Sequence, residues 1–190
     1  MGQGRPIQAR PVDMGLPSGV QWASCNIGAE SPSDPGIYFS WGNINGHAEG
    51  EGYDFSQDVY DTTPAASIDS DLSLSQDAAR ANLGEPWRIP TADEVQELCD
   101  NSTIIWTTMN GMKGRLFTSR INGARLFFPA AGFFNGELLT SLGSNGRYWS
   151  SKYISDLNAR SISFGSSYVI PQSDYARRYG VSVRAVLQPT

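Results

Sequence analysis

An α+β fold is the class this sequence predicts, on three observations. Two helical segments precede a β-rich half, Asn-Gly pairs punctuate that half at intervals of 10 to 13 residues, and Gly (20) and Pro (11) abound while only 17% of residues are charged. A chain of 190 residues suits one domain of ordinary size, and five Trp, eight Tyr and eight Phe supply apolar surface for its core.

Residues 1–11 have no periodicity and read as an arm or linker, leaving 12–190 as the folded domain. From Val12 onward, Gly15, Pro17, Gly19, Gly28, Pro32, Pro35 and Gly36 separate short apolar pieces, so short strands and tight turns are expected, with Trp22, Tyr38, Phe39 and Trp41 pointing inward. Residues 43–73 are polar, acidic and rich in Gly, Ser and Asp, which predicts a long surface excursion. A short helix is predicted over 75–83, ended by a left-handed cap at Gly84. A second opens after Thr91, where Thr91 and Glu94 form a capping box and Val95, Leu98 and Cys99 make one core-facing stripe.

Beyond the helices, Asn110-Gly111, Asn122-Gly123, Asn135-Gly136 and Asn145-Gly146 predict a meander of hairpins, because both residue types tolerate positive φ. Strands are expected at 113–119, 125–129, 147–150, 159–164 and 181–186. In the last of these, Val181, Val183 and Ala185 alternate with Ser182, Arg184 and Val186.

The net charge of −5 gives no field to attract nucleic acid, and no partner of that class is expected. There is no run of about 18 apolar residues, and the N-terminus lacks the apolar core of a signal peptide. Neither Sec export nor membrane insertion is expected of the chain as written. His47 stands alone in the excursion, so a solvated histidine is expected rather than a zinc ligand or a catalytic base. Asp54, Asp58, Asp61, Asp69 and Asp71 offer oxygen ligands without the spacing of a calcium loop. Asp93 and Glu94 read as charges at a helix start. Cys25 and Cys99 are expected to be free thiols, with a disulfide as the alternative. No cofactor or metal site is predicted.

The tail carries a different signal. GSNGRYWSS, from Gly143 to Ser151, and GVSVRAV, from Gly180 to Val186, enclose a stretch in which Phe164, Pro171 and Gln172 alternate with Ser, Tyr, Ile, Asp and Gly in no amphipathic order. Such a stretch suits the display of side chains better than catalysis.

VDMGLPSGVQWASCNIGA, YFSWGN, LGEPWRIPTADEVQEL, FFPAAGFFNGELL, GSNGRYWSS and GVSVRAV, in that order over residues 12–187, resemble the C-type-lectin-fold surface domain of gut bacteria and their phages. Within that family the tail is similar to the variable region of proteins diversified by retroelements, a group that includes a phage tropism determinant. In such regions template asparagine codons are rewritten at their adenines while the scaffold persists. Against a template-like Phe-Asn-Ser-Ser-Asn-Val-Asn-Pro-Gln-Asn-Asn-Asn, this chain keeps Phe164, Ser166, Ser167, Val169, Pro171 and Gln172. It carries Gly165, Tyr168, Ile170, Ser173, Asp174 and Tyr175 at the asparagine positions, each a residue type with a codon ending in a pyrimidine. Ile154, Asp156, Leu157, Asn158, Ser161, Ser163 and Tyr179 complete the variable, ligand-facing set, within a variable region of about 147–186.

The resemblance implies a C-type lectin fold, with two short helices and a twisted antiparallel sheet with long loops. It implies a non-enzymatic ligand- or receptor-binding protein on a phage virion or an extracellular bacterial surface. Its partner would be a host or neighbouring-cell surface protein or glycan, engaged through a diversified face and aided by multivalent display or homo-oligomerisation. The alternative is a structural virion or surface decoration module with a fixed protein or glycan partner. Framework residues Trp87, Trp149, Phe127, Phe128, Phe164 and Val183 are expected in the core, with Arg88 and Arg184 ordering loops. The chain departs from the family at Asn43, where a Glu is common, and at Ser102, where a Cys is common. The sugar-binding Glu-Pro-Asn and Trp-Asn-Asp motifs are absent, and no cysteine follows Cys99, which removes the reactive pair of the related formylglycine-generating enzymes.

Overall fold

A computed structural model describes residues 9–58 and 70–190. The expectations for residues 1–8, Asp61 and Asp69 lie outside the described residues. The architecture is α+β, with two α-helices and four sheets among the described residues. Strands β1 (Pro11–Val12), β2 (Gln21–Ala23) and β13 (Val186–Leu187) form a sheet that joins the early and late parts of the chain. Five strands run in the order β11 (Val169–Ala176), β10 (Asn158–Phe164), β9 (Gly146–Tyr153), β12 (Val181–Ser182) and β3 (Tyr38–Phe39). Strands β4 (Ser102–Met109), β5 (Met112–Ser119) and β6 (Arg125–Pro129) make a third sheet, and β7 (Phe133–Asn135) with β8 (Leu138–Thr140) a fourth. The expected antiparallel sheet is thus divided, and its β9–β12 contact is parallel.

Helix α2 (Ala92–Asp100) begins as its sequence dictates. Thr91 accepts from the Glu94 amide at 3.2 Å, Glu94 accepts from the Thr91 amide at 2.9 Å, and Val95 and Leu98 are buried. Helix α1 (Ala78–Leu83) is shorter than the 75–83 expected, because Asp77 takes the cap and leaves Leu74–Gln76 as a separate 3-10 turn. The Asp77 carboxylate accepts from the amides of Ala79, Arg80 and Ile89, so one buried group also ties α1 to the segment before α2. Gly84 has positive φ, 81°, but its ψ of 169° places it outside the left-handed helical cap.

The Asn-Gly pairs divide by role. Asn110 and Gly111 take φ of 49° and 80° and close the β4–β5 hairpin with Met109 paired to Met112. The turn after Asn135 is displaced by one residue, since Asn135 pairs with Leu138. Asn122-Gly123 sits in the connection to β6, and Gly146 is the first residue of β9. There a side chain is excluded, because a Cβ on Gly146 would lie 2.1 Å from Cζ of Phe164.

The expected strand at 181–186 is two strands. Between β12 and β13 the chain leaves one sheet for another, with the carbonyls of Val183 and Ala185 accepting from the amides of Ile27 and Ala23. Arg184 occupies this crossing fully buried, donating to Asn26 Oδ1 at 2.9 Å and to the carbonyls of Ala23 at 3.2 Å and Phe127 at 2.7 Å. Its guanidinium also lies 4.4 Å from the Phe128 ring centre. Arg88 forms a bidentate pair with Glu94, at 2.8 and 2.6 Å.

One core packs Trp22, Val95, Leu98, Phe117, Phe128, Tyr148, Ile162 and Phe164 between α2 and the sheets. A second gathers Phe39, Trp41, Trp87, Trp149, Tyr153, Val181 and Val183 beside α1, and Tyr38, Phe55 and Phe134 form a third. Trp22, Tyr38, Phe39, Trp41, Phe127 and the remaining framework aromatics are buried as expected. Cys25 and Cys99 are both free, and burial pushes the Cys99 thiol up to about 12. No helix among the described residues is long and apolar enough to cross a membrane.

Replacing Arg184 by Met leaves buried carbonyls and Asn26 without donors, and a loss of about 3 kcal/mol or more is expected in chemical denaturation. Arg184→Lys should restore little of it, because an ammonium cannot reproduce the planar fork that reaches all three acceptors. Asp77→Ala removes a helix cap and the Ile89 tie together and should cost about 2 kcal/mol by the same measurement.

Candidate functional site

The tail builds the outer edge of the five-stranded sheet. Among the described residues strand β11 has one neighbour, β10, and the register shifts between them, with Ile170 opposite Ser163 and Ser173 opposite Ser161. Pro171 and Gln172 therefore share the place opposite Ile162, a bulge on an edge strand, where a residue without an amide hydrogen fits. Pairing puts Ile170, Ser163 and Arg147 in one cross-strand row, Ser173, Ser161 and Trp149 in the next, and Tyr175, Ala159 and Tyr153 in a third. The opposite face carries Phe164, Ile162, Tyr148 and Val169, which pack with α2 residues Val95 and Leu98.

Over the first face lies a group of rings. Tyr175 is 5.4 Å from Phe133 and 5.1 Å from Tyr179 between centroids, Phe133 is 5.8 Å from Tyr179, and Trp149 lies beneath at 6.3 Å from Tyr175. The Arg147 guanidinium sits 3.8 Å from the Tyr175 ring centre and 5.6 Å from that of Phe133. Arg178 lies 5.3 Å from the Tyr179 ring on the far side of the group. Burial pushes the Tyr175 hydroxyl up to about 12, against the pull of Arg147 and with a smaller push from Tyr179. Phe133 reaches the cluster because β7 bonds to the end of the tail, Phe134 and Gly180 exchanging amide-to-carbonyl bonds of 2.8 and 3.0 Å.

The expected ligand-facing residues separate into three groups. Tyr168, Ile170, Asp156, Leu157 and Asp174 are exposed, with Leu157 at 65%, Ile170 at 45% and Tyr168 at 37%. Ile154, Asn158, Ser173, Tyr175 and Tyr179 are half-buried. Ser161, Ser163 and Gly165 are buried, which corrects their expected place on the surface. The two serines lie on β10, where the register flanks Ser163 with Arg147 and Ile170 and Ser161 with Trp149 and Ser173, while Arg147 and Tyr175 meet diagonally across the strand. Gly165 is a framework residue. Its carbonyl accepts from Arg115 Nε at 3.0 Å and Nη2 at 2.7 Å, its amide bonds to the Tyr168 carbonyl, and a Cβ there would lie 2.7 Å from the Tyr168 ring.

The exposed members do not share one surface. Asp174 faces the α2 side and pairs with Arg160 at 2.5 Å. Asp156 and Leu157 sit in the β9–β10 connection, where the Asp156 carboxylate accepts from the Tyr153 hydroxyl at 2.6 Å and its carbonyl from Arg177 at 3.1 Å. That connection and the Tyr168 turn lie at opposite ends of β10, roughly 20 Å apart for a strand of this length. The face that remains runs from Tyr168 and Ile170 through Arg147 to Tyr175, Phe133 and Tyr179. Arg147 and Phe133 were absent from the sequence expectation. Arg147 was legible, because a strand residue two before Trp149 shares its face, whereas Phe133 arrives through a tertiary contact.

Elsewhere a cleft of about 250 Å³ opens beside Trp41, Asp58 and Arg177. Asp58 accepts from the hydroxyls of Ser40 and Tyr53. His47 is not simply solvated: it stacks on Tyr53 at 3.4 Å and contacts Glu51 at 3.0 Å, so its ring holds the excursion against β3. No group of three or more His, Cys, Asp or Glu that could hold a metal occurs among the described residues.

The sheet has a measurable alkaline limit. Tyr148 and Tyr175 have folded values near 12 against 10.0 for the ordinary hydroxyl, so the folded state retains protons that the unfolded state releases. Their contribution to stability is complete below pH 10 and is lost as pH rises toward about 12. Melting temperatures across that range should fall with pH, and less steeply in Tyr175→Phe than in the parent.

No protein-family model, curated protein or solved structure matches this chain.

Proposed function

We propose that this chain is a non-enzymatic ligand-binding protein of a phage virion or bacterial surface, with the C-type lectin fold and the retroelement-diversified face that its sequence resemblance implies. One observation carries the reading. The tail divides into a buried frame and an outward edge, with Phe164 and Val183 at 0% and Trp149 at 1% exposure while Tyr168, in the turn before the edge strand, and Ile170, on it, stand at 37% and 45%. Changes at outward positions of an edge strand cost the fold little, about 0.5 kcal/mol or less each. Changes in the frame cost several times more.

The composition of the face supports the same reading. Tyr gives rigid amphipathic contact area at low entropic cost, and Ser adds adaptable polar contacts. Rings from Phe133, Tyr175 and Tyr179 form a partly exposed platform rather than a closed core. The partner is a surface protein or glycan of a host or neighbouring cell, and display in several copies raises a weak single-site affinity.

Binding to host envelope fractions tests the proposal with Tyr168→Ala, Ile170→Ala and Tyr175→Ala. Loss of binding, at about 2 kcal/mol for the strongest position, is expected without a matching loss of melting temperature. Unchanged binding in all three variants would place the site elsewhere. Sequences of many isolates test diversification: residues 152–179 should vary more than 84–151, and equal variation would favour a fixed decoration module.

A further inference from the structure

We propose that the ring-bearing face recognises a carboxylate on a partner protein and that Arg147, a framework residue, is its anchor. The inference rests on the ligand-binding reading above and adds the chemistry of the contact. Arg147 is half-buried and its Nε is fully enclosed, yet no hydrogen-bond or ion-pair acceptor among the described residues reaches the guanidinium. Other arginines have acceptors on their guanidinium groups: Arg88 with Glu94, Arg115 with the Gly165 carbonyl, Arg184 with its three acceptors, and Arg160 with Asp174 through Nη1, although the Arg160 Nε is enclosed without a partner as that of Arg147 is. The enclosed Nε lies beyond the reach of a ligand, so the terminal nitrogens, which are not enclosed and meet no acceptor among the described residues, are the donors on offer, on a guanidinium that is never neutralised by deprotonation.

The rings fix how this charge is presented. At 3.8 Å from the Tyr175 centroid, the guanidinium packs directly over the ring, which holds it in place. Only its terminal nitrogens, Nη1 and Nη2, are left for a ligand, since Nε is enclosed. A planar, immobilised fork of this kind matches the two oxygens of a carboxylate.

The surroundings favour an acidic group carried on a broad surface. The row containing Arg147 holds Ser163 and Ile170, the next row holds Ser161 and Ser173, and the tail acids Asp156 and Asp174 are engaged by Tyr153 and Arg160. Clefts of about 250 and 200 Å³ are lined without Arg147, Phe133 or Tyr175, so the face is not one of these pockets. A platform of Tyr, Phe, Ile and Ser around one charge fits a protein epitope, in which an Asp or Glu side chain meets Arg147 and apolar neighbours cover the rings.

The test uses the full chain, tetramerised on streptavidin, against a constrained random-peptide library and an array of acidic and neutral glycans. Selected peptides should be enriched in Asp or Glu. Changing the selected acid to its amide, or Arg147→Gln in the protein, should each weaken binding about tenfold or more, and the two changes together should cost no more than one. Arg147→Lys, which keeps the charge but not the fork, should bind between the parent and Arg147→Gln, with melting temperatures confirming that both variants fold. The inference is overturned by selecting no peptide, by selected peptides without acid enrichment, by acid dependence that survives Arg147→Gln, or by capture of acidic glycans alone. If Ile170→Ala and Tyr175→Ala abolish peptide binding while Arg147→Gln does not, only the carboxylate inference fails; if none of the three matters, the face itself is not the site.

Discussion

A single buried guanidinium sets the spacing of the sheets. Arg184 has no carboxylate partner among the described residues, and its charge is held by the carbonyls of Ala23 and Phe127, the amide oxygen of Asn26 and the face of Phe128. Those acceptors lie on or beside strands of different sheets. A hydrophobic residue of similar volume would fill the space but leave the carbonyls unmet, and unmet buried carbonyls are what a chain crossing between sheets must avoid. Burial lowers the guanidinium from its ordinary value, yet in a protein it remains charged. The network continues outward, since Asn26 donates to the Tyr148 hydroxyl at 3.1 Å and Tyr148 donates to the Pro129 carbonyl at 2.6 Å. Tyr148 is the residue beside Arg147 on β9, so the network of the buried Arg184 and the proposed anchor of the face are joined through one strand.

Constraint therefore falls across the five-stranded sheet from β12 toward β11. Strand β9 is fixed on both faces, by Tyr148 on the α2 side and by Trp149 on the other, whose indole donates to the Phe39 carbonyl at 2.7 Å. Strand β10 is clamped on both sides, with Phe164 packed against the space left by Gly146. Among the described residues strand β11 has a neighbour on one side only, and Val169, together with the Gln172–Gln96 contact, attaches it to the layer beneath. Unpaired strand edges invite further pairing with other chains, and the bulge at Pro171 and the charge of Asp174 oppose it here. An edge protected in this way leaves Ile170, Ser173 and Tyr175 open to substitution without loosening the layers beneath.

The frame was the legible part of the sequence because each of its signals is local. The Thr91–Glu94 capping box, the buried aromatics and the Asn110-Gly111 hairpin each follow from a few adjacent residues. Strand β11 was not legible, because the bulge at Pro171 and Gln172 breaks the two-residue alternation that announces a strand. Ser161 and Ser163 belong to the ligand-facing set through the resemblance to diversified proteins, whereas in the fold they lie on β10 with a strand on each side and are buried. Phe133 could not be placed at the site from its neighbours, since the β7 contact with Gly180 brings it there. The candidate face was thus half visible: its outward residues were readable and the groups beneath and beside them were not.

A diversified face must solve two problems that pull apart, since varied side chains give discrimination and only fixed geometry gives orientation. On the proposed reading, the division falls between strands rather than between loops. Ile170, Ser173 and Tyr175 belong to the edge strand and change what the surface fits, while Arg147 on β9 and Phe133 on β7 stay in place to orient whatever is bound. A charge fixed among rings supplies register and rejects misaligned partners more than it supplies bulk affinity. Apolar and aromatic variation around it then decides which aligned partner fits. Because the anchor rests on the strand tied to Arg184 through Tyr148, replacing the outer residues alters the preference of the face without releasing the group that orients it.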